Sequence, residues 1–302
     1  MLFLFYTDLH LNPKNPRHRI DDFPAALLAK LREIYSIAES EKVDFVIFGG
    51  DFFNAYRTYS YRLFIDAIDA ITVKTYGIIG QHDLKGYNYE TLKTSSLGFF
   101  EYFCDNFQTI YEPLDFDDAL ICPCHVYDDL KIIASQPVSR KKKSILVAHK
   151  LLSDKEEVFD TFSTASLACN FNLCLAGDYH MGFSQHTVGD TLYYNPGSIA
   201  RISTKDIGRQ VKVALIRCEA GKPIEIREIP LTSAKPAEEV FGESIIEEVR
   251  EQVQMQMDAS SFTNGFAELE RESTDVFDLL EKIGKKKAIR KPVMDYIMSK
   301  RE

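Results

Sequence analysis

The stretch that most constrains the fold is Val43 to Phe53, VDFVIFGGDFF. An apolar, partly β-branched run enters two glycines and ends on a carboxylate, the pattern of a buried strand delivering Asp51 into a tight turn at a sheet edge. One Gly-Asp of this kind serves equally well as a turn or a helix cap. Four other apolar runs, however, end in the same manner. TDLH carries Asp8 and His10, IIGQHD carries Gln81, His82 and Asp83, ILVAHK carries His149, and LCLAGDYH carries Asp178 and His180. Five strand ends that each present Asp, His or an amide predict one shared site, and the single residue between Asp8 and His10 lets both converge on one ion. Carboxylate and imidazole without thiolate suit Mn²⁺, Fe²⁺ or Zn²⁺, in number enough for two adjacent ions. His149 by itself would read as a hydrogen-bonded structural histidine; its place in the ordered set is what makes it a ligand candidate. His18, His125 and His186 lack that setting and read as surface or loop residues. Cys122, Cys124 and His125 offer zinc ligands, but no second cluster completes four, so the six cysteines read as buried thiols.

Strand-like runs recur at Leu2 to Tyr6, Phe45 to Phe48, Tyr76 to Ile79, Leu120 to Cys122, Ile145 to Ala148, Leu173 to Ala176, Thr191 to Tyr194, Val211 to Arg217 and Ile224 to Ile229. Helical patterns separate the earlier ones, as in Pro24 to Glu41 with Leu27, Leu28, Leu31, Ile34, Tyr35 and Ala38 on one face. That order predicts an α/β protein with two packed mixed β-sheets flanked by helices, spanning residues 1–230. From about Thr232 the strand pattern stops, and residues 231–302 read as a small helical region. Pro236 opens a helix with Phe241, Ile245, Val249 and Val253; Thr263 or Asn264 caps a second; Pro292 begins a third. Helices this small with apolar faces suit docking on a partner, although their charges equally suit a solvated surface. The apolar start is too short for a signal peptide and no run approaches the roughly 20 residues of a membrane span, so a cytoplasmic location is expected. The net charge of −9 argues against a broad nucleic-acid surface, so any DNA contact would be local or assisted.

TDLH, GGD, GQHD, VAHK and GDYH, in that order, resemble the five motifs of calcineurin-like metallophosphoesterases, and YNPGS at Tyr194 to Ser198 resembles the segment that follows them. The resemblance covers roughly residues 1–230. Within the family, Arg19, Asp22 and VDFVIFGGDFFNAYR are similar to the opening block of SbcD-type DNA repair nucleases. The resemblance implies the layered metallophosphoesterase fold. It further implies that Asp8, His10 and His180 bind one metal, that His149 and Asp178 bind the other, and that Asp51 bridges them. Gln81 would bind the second ion, and His82, oriented by Asp83, would face the phosphate. Two positions depart from the pattern: Gln81 stands where the family usually has Asn, and Asp178 where it has His. The added carboxylate favours a harder ion, Mn²⁺ over zinc, with Mg²⁺ and Fe²⁺ also accommodated.

The function implied is two-metal hydrolysis of DNA phosphodiester bonds, with the tail at residues 231–302 attaching an SbcC-type coiled-coil ATPase. Tyr56, Arg57, Tyr59, Tyr61 and Arg62 could bind nucleic acid, or form a helix start or a tyrosine-rich homodimer contact. Two other classes are carried alongside. One is a phosphodiesterase or phosphatase for small nucleotides; the other is a non-catalytic scaffold in which Gln81 and Asp178 mark a decayed second site.

Overall fold

A computed structural model describes residues 1–138, 142–155 and 162–255. The strands in chain order are β1 Leu2–Tyr6, β2 Phe45–Phe48, β3 Thr75–Gly77, β4 Phe107–Thr109, β5 Leu114–Asp115, β6 Ala119–Cys124, β7 Lys143–Lys150, β8 Leu152–Ser153, β9 Phe162–Ser163, β10 Leu173–Asp178, β11 Phe183–Val188, β12 Thr191–Asn195, β13 Lys212–Arg217 and β14 Glu225–Pro230. The α-helices are α1 Phe23–Ser40, α2 Tyr61–Ala70, α3 Ser96–Phe103, α4 Leu130–Ala134 and α5 Ala237–Phe241. Two six-stranded sheets result, ordered β14-β13-β1-β2-β3-β4 and β11-β12-β10-β7-β6-β5. Each has parallel strands at its centre (β1 to β4; β6, β7, β10 and β12) and antiparallel strands at one edge or both.

The period-two geometry of β1 explains the layering. Phe3 and Phe5 join Ile47, Ile145, Val147, Leu173 and Leu175 in an apolar cluster drawn from both sheets. Leu4 and Tyr6, on the opposite face, pack with Leu27, Leu31 and Ile34 of α1. Both faces of the strand are thereby buried, which is why these strands read as continuous apolar runs. Each fully buried Phe contributes about 1.5–3 kcal/mol relative to exposure. A third cluster on the outer face of the second sheet takes Leu146, Ala148, Cys174 and Ala176, with Cys122 and Cys124 among them. All six cysteines are free, and five are buried. Helix α1 begins where Asp22 accepts a hydrogen bond from the Ala25 N–H at 3.1 Å, with Pro24 in its first turn.

The first compact unit runs Met1–Val240, ten residues beyond the last strand. Leu231 belongs to the α1-side core, the Glu33 carboxylate binds the N–H and hydroxyl groups of Thr232 and Ser233, and the Ile20 N–H donates to the Val240 carbonyl. The helix expected from Pro236 is interrupted: α5 stops at Phe241, Gly242 takes φ 78°, and residues 243–255 are helical again. A glycine in the left-handed region ends a helix by turning its last carbonyls away from the axis. The helices expected after Thr263 and Pro292 lie outside the described residues. Among the described residues, no helix is long and apolar enough to cross a membrane.

Candidate metal centre

The parallel strands β1, β2, β3, β7 and β10 all point their C-terminal ends toward one edge, and every candidate residue leaves from there. Asp8 and His10 follow β1, Asp51 follows β2, Gln81 to Asp83 form one turn of 3₁₀ helix after β3, His149 lies near the end of β7, and Asp178 ends β10. Among the described residues, six non-glycines have positive φ, and four of them are Asp8 (54°), His10 (47°), Asp51 (58°) and Asp178 (71°). Side-chain-bearing residues populate that region sparsely and persist there when the surrounding structure holds them, a pattern concentrated at functional sites.

Each central carboxylate uses one oxygen for anchorage and leaves the other bare. Asp8 Oδ2 accepts from Thr7 Oγ1 at 2.7 Å and from the Asp178 N–H at 3.1 Å. Asp51 Oδ1 accepts from the His82 N–H at 2.8 Å. Asp8 Oδ1 and Asp51 Oδ2 are buried without a hydrogen-bond partner. Asp8 Oδ1 lies 3.7 Å from His10 Nε2 and 3.6 Å from His180 Nε2, which are 2.9 Å from each other. Asp51 Oδ2 lies 3.4 Å from His149 Nε2, 3.8 Å from His10 Nε2 and 4.0 Å from His82 Nε2. Three overlapping groups able to hold an ion follow: Asp8, His10 and His180; His10, Asp51 and His82; Asp8, Asp51 and His149. Two orphaned buried carboxylate oxygens among imidazole nitrogens are the donor set of a divalent-ion centre, so the residues fit such ions.

The charges agree with that reading. Burial raises the Asp8 carboxyl, but His10, His180 and His149 outweigh it and hold the group well below its usual range. Burial opposes ionisation of Asp51 too, and His149 and His10 reverse the balance. Burial would lower His149, yet the carboxylates of Asp51, Asp8 and Asp178 push it up to about 10. The centre therefore draws positive charge to itself.

The two departures from the family pattern touch each other. Gln81 Nε2 donates to Asp178 Oδ1 at 2.9 Å, and Gln81 Oε1 lies 2.9 Å from His149 Nε2. The extra methylene of Gln81 thus bridges from His149 to the carboxylate, and Asp178 joins none of the three groups. The orienting role expected of Asp83 toward His82 is filled by another residue. Asp83 Oδ2 accepts from the N–H groups of Gly80 at 2.9 Å and Asp51 at 3.1 Å, so it braces the turn. The His82 ring is held instead by Asn54, whose carbonyl accepts from Nδ1 at 2.8 Å. Burial first, and then the Asp51 charge, push Asp83 up to about 8.

A strap that no sequence motif marks ties down the end of β1. The N–H groups of Ile199 and Ala200 donate to the carbonyls of Thr7 at 3.1 Å and Asp8 at 3.2 Å, and the Ser198 N–H donates to that of His180 at 3.0 Å. The carbonyls of residues 198–201 are each met by a buried basic side chain. Arg209 donates to Ser198 and Ala200, Lys30 to Ile199 at 3.0 Å, and Arg19 to Arg201 at 2.7 Å. Burial, followed by the neighbouring guanidinium groups, lowers Lys30 to about 7. One signal could have found it: Lys30 sits between Leu27 and Ile34 on the apolar stripe of α1, where a lysine needs a buried acceptor.

Other candidates lie elsewhere. Phe52 and Phe53, which follow Asp51, are buried in an aromatic cluster with Phe48, Phe64, Phe100 and Phe107. Tyr61 opens α2 behind a Ser60 cap, and Tyr59 and Tyr61 are exposed; Arg62 pairs with Asp66 at 2.9 Å within α2. His125 is buried, not superficial, and its Nδ1 accepts the Ile79 N–H at 3.0 Å. A cavity of about 830 Å³ lined by Lys143, Ser144, Asn170 and Asn172 opens at the starts of β7 and β10, the edge opposite the centre.

A profile described as calcineurin-like phosphoesterase matches residues 1–182. No curated protein sequence matches the chain. Among solved structures, a dimetal phosphatase from Danio rerio is similar at 11% identity and a TM-score of 0.47, covering 76% of this chain and 98% of its own. A Thermus thermophilus protein is similar at 14% identity and a TM-score of 0.44, covering 73% and 98%. A putative 5′-nucleotidase from Staphylococcus aureus is similar at 13% identity and a TM-score of 0.43, covering 76% and 54%.

Proposed function

We propose, from the premise that the chain belongs to the calcineurin-like phosphoesterase family, that it is a DNA phosphodiesterase, an SbcD-type nuclease subunit working with Mn²⁺ and a coiled-coil ATPase. The observation that carries the hydrolytic reading is the pair of bare, buried oxygens, Asp8 Oδ1 and Asp51 Oδ2, set among the Nε2 atoms of His10, His149 and His180. The DNA assignment is supported by the likeness of the block from Arg19 to Arg57 to the opening of SbcD-type nucleases, part of which has a structural role around the site. Arg19 anchors the strap, Asp22 starts α1 and Asn54 orients His82. Manganese is supported by the amide and carboxylate oxygens that Gln81 and Asp178 add beside His149. Residues 231–302 are the proposed attachment for the ATPase; a chain ending at Val240 is expected to lose that binding while keeping its hydrolytic centre.

Asp8, His10, His180, Asp51 and His149 would hold the ions. The family uses divalent ions, which when bound neutralise phosphate oxygens and lower the pKa of a water. The protein's own part is to hold its ligands rigidly and to offer His82. That ring is 41% exposed, and with Nδ1 donating to Asn54 it turns Nε2 toward the centre, where it meets an entering phosphate and its leaving oxygen. His82→Ala is expected to lower turnover by about 10²–10⁴-fold with bound metal unchanged by elemental analysis. Loss of metal would make His82 a ligand instead.

The decisive experiment is end-labelled linear DNA, with and without Mn²⁺, beside cyclic and dinucleotide substrates. Mn²⁺-dependent release of nucleotides from DNA is expected. Cleavage confined to the small nucleotides would replace the nuclease reading, and a chain that binds no metal would be a scaffold.

A further inference from the structure

Two loops are joined, by hydrogen bonds or by sequence, to the elements that carry Gln81 and His149. Residues 125–129 leave β6 and are tied down along their backbone. The Val126 N–H donates to the Ile79 carbonyl at 3.1 Å, and the His125 N–H donates to Asp128 Oδ2 at 2.7 Å. The Tyr127 N–H donates to Tyr89 Oη at 3.1 Å, and that hydroxyl donates to Asp128 Oδ1 at 2.9 Å. Lys150 Nζ donates to the carbonyls of Val126 at 2.6 Å and Asp128 at 2.5 Å. Ile79 lies two residues before Gln81, and Lys150 directly follows His149. Tyr127 is therefore mounted on the strand ends that carry the centre.

The second loop brings Tyr87, five residues after His82. Gly86 and Tyr87 both have φ 60°, a conformation an aromatic residue rarely adopts unless it is held there. The strain does not serve the core, because Tyr87 is 82% exposed. Its ring instead meets Tyr127, centroids 4.8 Å apart and planes at 49°, and Tyr127, half-buried, is backed by Tyr89 at 6.1 Å. An exposed Tyr87 ring propped on a tethered Tyr127, on loops joined to the elements of a phosphate-ester centre, has the chemistry to stack a planar base.

We infer that Tyr87 and Tyr127 form a stacking platform for a nucleobase of the substrate. The inference rests on the proposed phosphodiesterase reading. Stacking recognises the face common to all bases, so the platform admits any base and gives length and end placement, not sequence.

The test uses the full-length, Mn²⁺-loaded chain and two esters sharing a leaving group: thymidine 5′-(p-nitrophenyl phosphate) and methyl p-nitrophenyl phosphate. Tyr87→Ser and Tyr127→Ser are each expected to raise KM for the thymidine ester about tenfold. KM for the methyl ester and kcat for both should stay unchanged, and the Phe variants should behave as the parent. Equal changes on both esters, or none on the thymidine ester, would overturn the platform. Equilibrium dialysis of thymidine 5′-phosphate supplies a readout independent of turnover. Binding about tenfold weaker in Tyr87→Ser supports the platform even where neither ester is hydrolysed, an outcome that sinks only the phosphodiesterase reading; equal binding overturns it. Tyr87, being exposed, keeps the test valid where Tyr127→Ser disturbs folding.

Discussion

Asp51→Asn is expected to abolish phosphoester hydrolysis, by on the order of 10⁴-fold or more, about 5 kcal/mol of transition-state stabilisation. The substitution is nearly isosteric, and Oδ1 can go on accepting from the His82 N–H. The amide nitrogen then takes the place of Oδ2, the atom lying 3.4 Å from His149, 3.8 Å from His10 and 4.0 Å from His82. A donor without charge replaces the bare acceptor at the junction of two of the three ligand groups. Metal content should fall together with activity, while the melting temperature changes little. Elemental analysis and hydrolysis of a generic phosphodiester measure the two effects. Full activity in this variant would remove Asp51 from the centre.

Gly80→Ala is expected to be severely damaging although it replaces no ligand. A Cβ there would fall 2.0 Å from Asp51 Oδ1 and 2.5 Å from the Asp51 nitrogen, neither of which is the free end of a flexible chain. The backbone at Gly80, φ −97° and ψ 177°, would accept alanine, so the penalty is purely steric. Overpacking of this kind costs about 1–3 kcal/mol or more, and here its relief requires moving Asp51 away from its ring nitrogens. Gly208→Ala meets nothing within 4 Å and serves as the control. Melting temperature and hydrolysis should both drop in the first and hold in the second; identical behaviour would show that the approach of Gly80 to Asp51 is relieved at no cost.

The doubly buried strands were the legible part of the fold. Phe45–Phe48 and Leu2–Tyr6 appear with the bounds their apolar runs suggest, because a strand covered on both faces has nothing polar to blur its ends. By contrast β11, FSQHTV, is an edge strand with several exposed residues, and its periodicity disappears. Strand β4 takes its pairing from β3, on the far side of α3, and β5 is a two-residue strand folded back on β6, too short to show a pattern. The candidate ligands were legible because each closes an apolar run. What holds them was not: the Asn54 carbonyl that orients His82 is a backbone group, and Arg19 and Arg209 look like any surface arginine until the fold closes around them. Nor could spacing reveal that Gln81 and Asp178 are bonded to each other, 97 residues apart.

The strap carries a consequence for the order of assembly. Ser198 Oγ reaches the Asp8 carbonyl across 190 residues, Lys30 reaches Ile199 across 169, and Arg19 reaches Arg201 across 182. Contacts so distant along the chain close late, after the loop-closure entropy has been met by nearer pairs. A growing polypeptide emerging from the ribosome has therefore made all its ligands through His180 before it can lock the first of them. Phosphoester hydrolysis should mature only once Arg209 has been synthesised and packed, which would keep unfinished chains chemically inert.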